Sequence, residues 1–80
     1  MIHNSRINII TERKDLHGDP VPFTFKTITK GGQIIEGSNC IVTSSNFSNK
    51  TRNIKFLDSG EIRTIRNLSI IELNGVEVTL

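Results

Sequence analysis

The chain is built from β-branched side chains and contains no alanine. Thirteen Ile, four Val and eight Thr make up 25 of its 80 residues, with five Leu and no Trp or Tyr. β-Branched side chains are stiff at χ1 and fit a pleated surface better than a helix. Without Ala, long helices have few good formers to draw on. The expectation is an all-β protein. Eighty residues allow a single small domain, residues 1–80, whose core must use nearly every large apolar side chain.

Period-2 alternation and turn signals divide the chain into short strands. Arg6–Thr11 reads as a first strand. A charged loop follows and closes on His17-Gly18-Asp19-Pro20. Val21–Thr29 reads as a second strand, with Val21, Phe23 and Phe25 alternating against Pro22, Thr24 and Lys26. Lys30-Gly31-Gly32 is a hairpin turn, and a three-residue loop sets Ile28 opposite Ile34 and Lys26 opposite Glu36. Gln33–Ser44 is a long third strand in which Gly37 marks a bulge or bend. Thr51–Leu57, with Ile54 and Phe56 inward, pairs with Glu61–Arg66 across Asp58-Ser59-Gly60. Ile62 and Ile65 have opposite parity, so the latter strand must bend if both are buried. Asn74-Gly75 is a type I′ hairpin signal joining Ser69–Leu73 to Val76–Leu80.

Five to seven short strands joined mostly by hairpins can close into a small, strongly bent barrel. The long early loop, bent middle strands and tight later hairpins resemble an SH3-like barrel in architecture. A partly open OB-like barrel is the alternative.

No apolar run approaches the roughly 20 residues of a membrane span. Met1-Ile2-His3-Asn4-Ser5-Arg6 has no apolar stretch of a secretory signal, and Cys40 is the one cysteine. Both features predict a cytoplasmic protein without disulfides or membrane contact. Cys40, in Asn39-Cys40-Ile41-Val42, reads as a small buried hydrophobe. His3, His17, Asp15 and Asp19 lack the spacing of a zinc or calcium site, and no GxxxxGK or GxGxxG occurs. No nucleophile, base and orienting group fall together, so neither enzyme activity, metal, cofactor nor small-molecule substrate is expected.

Charge is the most informative functional signal. Net charge is only +2, but Lys50, Arg52, Lys55, Arg63 and Arg66 face only Asp58 and Glu61 within residues 50–66. A three-residue turn would set Lys55 opposite Arg63 and Arg52 opposite Arg66. Like charges directly opposite are destabilising unless they splay into water or meet an anionic partner. The functional reading is contact with a nucleic-acid backbone, and the plain one is a solvated strand face. Phe47, Asn46 and Asn49, in a polar loop, are candidate partner contacts, with Phe47 as a plug of the barrel end the alternative. Phe23 and Phe25 read as core, with base stacking as the alternative. Glu72 and Glu77 face each other across the last hairpin, with Arg63 or Arg66 as the expected partner. Basic and acidic ends, together with open sheet edges, allow a second reading: a protein-interaction module or homo-oligomer.

Overall fold

The computed structural model describes residues 1–46 and 48–79. The reading of Phe47 therefore lies outside the described residues. The chain is all-β apart from single turns of helix. Its strands are β1 (Ile2–His3), β2 (Phe23–Ile28), β3 (Ile34–Asn46), β4 (Thr51–Phe56), β5 (Glu61–Arg66), β6 (Ile70–Leu73) and β7 (Val76–Thr79). They form one mixed sheet in the order β1-β7-β6-β2-β3-β4-β5. Among the described residues only β1 and β7 run parallel.

The hairpins follow local chemistry. β2 and β3 pair with Lys26 opposite Glu36 and Ile28 opposite Ile34, as a three-residue loop demands. Thr29 N–H bonds Gln33 O at 2.7 Å, and Gly32 takes the left-handed φ of +82°. Asn74 and Gly75 both have positive φ, the requirement of a type I′ turn, with Leu73 opposite Val76 and Glu72 opposite Glu77. This turn is anchored to β2: Thr24 N–H donates to Asn74 Oδ1 at 3.0 Å, and Asn74 N–H to Thr24 O at 2.9 Å.

β3 is bent twice. Phe23 faces Cys40 and Phe25 faces Gly37, so three residues of β3 span two of β2, and Asn39 takes up the excess at a φ of 56°. A second irregularity falls between Val42 and Ser44, opposite Ile54 and Asn53. Bulges of this kind bend the strand and increase its twist. Gly37 itself is required by close packing, not by its φ. A Cβ there would lie 2.5 Å from Phe25 Cε1 and 2.8 Å from Cys40 Sγ.

The core is Ile7, Phe23, Phe25, Cys40, Ile54, Ile65, Ile70 and Leu73. Phe23 and Phe25 are buried, their ring centroids 6.0 Å apart, and Phe25 meets Phe56 edge-on at 5.8 Å. Both β2 rings are thus core, and base stacking on them is ruled out.

One expectation is corrected. Arg6–Thr11 is not a strand: Asn4–Arg6 is a 3-10 turn and Ile7–Thr11 is helix α1. Ile7 and Thr11 are buried one helical turn apart and Ile10 packs beside them, so a helical face suits these residues better than alternation. β-Branched propensity is a weak prior that tertiary packing overrides. In β5 the parity conflict is settled by exposure, without a bend: Ile65 is buried and Ile62 is 56% exposed. Finally, barrel closure by hydrogen bonding is not found. Among the described residues β1 and β5 are free edges, and the chain passes from β5 to β6 through a 3-10 turn at Asn67–Ser69.

Candidate nucleic-acid interface

Register decides where the basic residues point. The β4–β5 turn has four residues, 57–60, because Phe56 pairs with Glu61. Ser59 and Gly60 N–H both bond Phe56 O, at 3.2 and 2.7 Å, and Gly60 takes a left-handed φ. The extra residue slips the register by one relative to a three-residue turn. Lys55 then faces Ile62, Ile54 faces Arg63, Arg52 faces Ile65 and Thr51 faces Arg66. The expected Lys55–Arg63 and Arg52–Arg66 oppositions do not form, so this hairpin sets no like charges opposite each other.

Alternation within β4 and this register in β5 together scatter the five cations. Arg52 shares the inward face with Ile54 and is only 5% exposed. Its Nη1 lies 3.0 Å from Glu12 Oε1 and donates to Ser45 Oγ at 3.3 Å. Ser45 Oγ in turn donates to Glu12 Oε1 at 2.8 Å. Arg52 is therefore an internal tie between α1 and the β3–β4 hairpin, and is withdrawn as a partner contact. Lys55 is half-buried on the opposite face. Lys50 is exposed at a left-handed position, where its carbonyl accepts Asn67 N–H at 3.0 Å. Asn46 Oδ1 accepts Asn49 N–H at 3.0 Å, so this pair shapes the turn between β3 and β4.

Arg63 and Arg66 do come together, with a residue the charge pattern did not single out. A cleft of about 760 Å³ lies where the end of β2 approaches β5 and the 3-10 turn. Lys30, Arg63 and Arg66 line it, and among the described residues no carboxylate does. Ile35, Ile65, Leu68 and Ile71 supply apolar surface, and Thr27, Thr64 and Ser69 supply polar groups. Arg63 is steadied through Nε by Glu61 Oε1 at 2.6 Å, at an exposed site. Lys30 sits in the β2–β3 turn, more than thirty residues before Arg63. Only the curl of the sheet brings it there. The signal lay in Gly37 and the bent β3, which imply curling but do not say which ends meet.

The other candidates have structural roles. Lys26 Nζ lies 3.6 Å from Glu72 Oε2, so the acidic hairpin is partnered by Lys26 and not by Arg63 or Arg66. Asp15 Oδ1 accepts His17 and Asp19 N–H at 2.8 and 3.0 Å, which organises the early loop. His3 Nδ1 accepts Ser5 N–H at the first 3-10 turn. Among the described residues no cluster of three or more His, Cys, Asp or Glu could hold a metal ion, and no helix is long and apolar enough to cross a membrane.

Cys40 is buried, and its thiol donates to Ser38 O at 3.4 Å. Burial, aided by the Asp58 carboxylate, pushes its pKa from 9.0 up to about 11. The unfolded thiol ionises first, so stability held below pH 9 declines as pH rises from 9 towards 11. Urea midpoints across that interval should fall more steeply for the native sequence than for Cys40→Ala. Equal slopes would remove Cys40 as the cause.

Compared with known proteins, the chain matches no family model, no curated protein and no solved structure. The functional reading rests on the geometry alone.

Proposed function

We propose that the chain is a small SH3-like barrel module that binds the phosphate backbone of single-stranded nucleic acid in the Lys30–Arg63–Arg66 cleft. The fold reading draws on the meander β2-β3-β4-β5, followed by a 3-10 turn and a last strand, β6, that returns to pair with β2. It also draws on the two bends of β3. The lone unpaired thiol, which needs no oxidising compartment, supports a cytoplasmic setting.

The observation that carries the functional reading is the convergence of three cations on one cleft with no lining carboxylate among the described residues. Clustered cations without fixed geometry suit phosphates, which carry affinity but no sequence information. The apolar floor at Ile35, Leu68 and Ile71 suits unstacked bases. A duplex keeps its bases stacked inside and would leave that floor uncovered. Among the described residues no aromatic platform, the usual stacking device, lines the cleft. Affinity should therefore be modest and largely independent of sequence.

Fluorescence anisotropy with a labelled single strand and its duplex tests this. Three phosphate contacts to a single strand predict a slope of about −2 in log affinity against log salt, roughly a 20-fold loss from ~50 to ~200 mM. Lys30→Glu with Arg66→Glu should abolish most binding while circular dichroism stays native, since both residues are exposed. Lys50→Glu with Lys55→Glu should cost less. Equal losses from the two pairs, or salt-independent binding, would refute the cleft as the site.

A further inference from the structure

β5 is a free edge along its whole length. It has β4 on one side and no neighbour on the other, among the described residues. Five of its six residues are exposed, including Ile62. Asn67 N–H bonds Lys50 O, and the β4–β5 register is regular from Thr51–Arg66 to Phe56–Glu61. In an antiparallel ladder alternate residues turn their backbone polar groups towards a given neighbour. Those of Arg63 and Ile65 therefore point to β4, and those of Ile62, Thr64 and Arg66 point outward.

We propose that this edge pairs with the same edge of a second copy, antiparallel about a two-fold axis through Ile62. Keeping the faces of the two sheets continuous requires the axis to pass through a residue, so the candidates are few. An axis at Arg63 sets two guanidiniums directly opposite. An axis at Thr64 sets Arg63 against Ile65 and Ile62 against Arg66, with no opposite charges facing. An axis at Ile62 sets each Glu61 opposite the Arg63 of the other copy. The Arg63–Glu61 pair within each chain then joins a four-member alternating network. The two exposed Ile62 side chains meet at the centre, and each Ile62 exchanges N–H···O=C bonds with its counterpart. Opposite-charge and apolar cross-strand pairs both stabilise a ladder. Charge complementarity thus selects both the occupant, a second copy, and its register. Arg63 also lines the cleft, but the pairing needs no bound nucleic acid, so sedimentation without ligand tests it separately from the nucleic-acid reading.

Sedimentation equilibrium on the full chain, from low micromolar to millimolar concentration, tests the pairing. A monomer–dimer equilibrium is expected. Glu61→Lys, which turns both cross-copy pairs repulsive, should raise the dimer dissociation constant about tenfold. Adding Arg63→Glu to it restores opposite charges and should restore most of the affinity. Ile62→Lys, at a site exposed in the monomer, should leave a folded monomer by circular dichroism. A monomer at every concentration would overturn the proposal. So would a dimer that survives Ile62→Lys, or one that the charge swap fails to restore.

Discussion

Gly37→Ala is expected to destabilise the domain more than most single-methyl changes could. The added carbon would lie 2.5 Å from Phe25 Cε1, 2.8 Å from Cys40 Sγ and 2.9 Å from Phe56 Cε2. Phe25 and Cys40 are fully buried, so neither can swing out into solvent to make room. Overpacking of this kind costs about 1–3 kcal/mol, and occasionally more. Small domains have stabilities of about 5–15 kcal/mol, and each kcal/mol moves the Tm of a 60–100-residue domain by roughly 4–8 °C. A Tm drop on the order of 10 °C or more should be seen by circular dichroism. Gly31→Ala is the control, because a Cβ there meets nothing within 4 Å and its φ is not left-handed. Equal Tm values for the two variants would mean that β3 can shift away from β2, contrary to the packing described.

The second large effect concerns Arg52 and Glu12. Removing one partner of a buried ion pair costs about 3–5 kcal/mol, because the remaining charge is left without compensation. Glu12 is 42% exposed on its side chain, so water offsets part of the loss. Glu12→Ala should therefore cost about 2 kcal/mol. Arg52→Met should cost less, because it keeps the apolar stem of the side chain and leaves no buried charge. In the double variant, the Glu12→Ala penalty should largely disappear. Urea denaturation of the four proteins checks this through a double-mutant cycle. Additive losses would mean that Arg52 and Glu12 are not coupled, and that α1 is held to the sheet by the packing of Ile7, Ile10 and Thr11.

What could be read from the sequence was local. Asn74-Gly75, Lys30-Gly31-Gly32 and the Phe23/Phe25 alternation set their hairpins and faces by nearest-neighbour chemistry, and the structure has them in those registers. The β4–β5 register was not legible. A three- and a four-residue turn are both compatible with Leu57-Asp58-Ser59-Gly60, and the choice between them changes which side chains face each other. That single residue moves Arg63 to the face of Ile54 and Arg66 to the opposite one, whereas Arg52, two residues from Ile54, lies inward in either register. The helix at Ile7–Thr11 was hidden because Ile7, Ile9 and Ile10 satisfy both strand and helix periods over so short a run. Lys30 joined the site through tertiary curl, which no local pattern encodes. Glu12, distant in sequence from Arg52, was likewise unreadable as its partner.

The most direct test of the central claim is an amide-resolved NMR titration of the chain with a short single-stranded oligonucleotide at low and moderate salt. Binding in the cleft predicts shifts at Thr27–Lys30 and Arg63–Ser69 that shrink as salt rises, with Thr11, Glu12 and Arg52 unmoved. Shifts centred instead on Lys50 and Lys55, or no shifts at low salt, would contradict it.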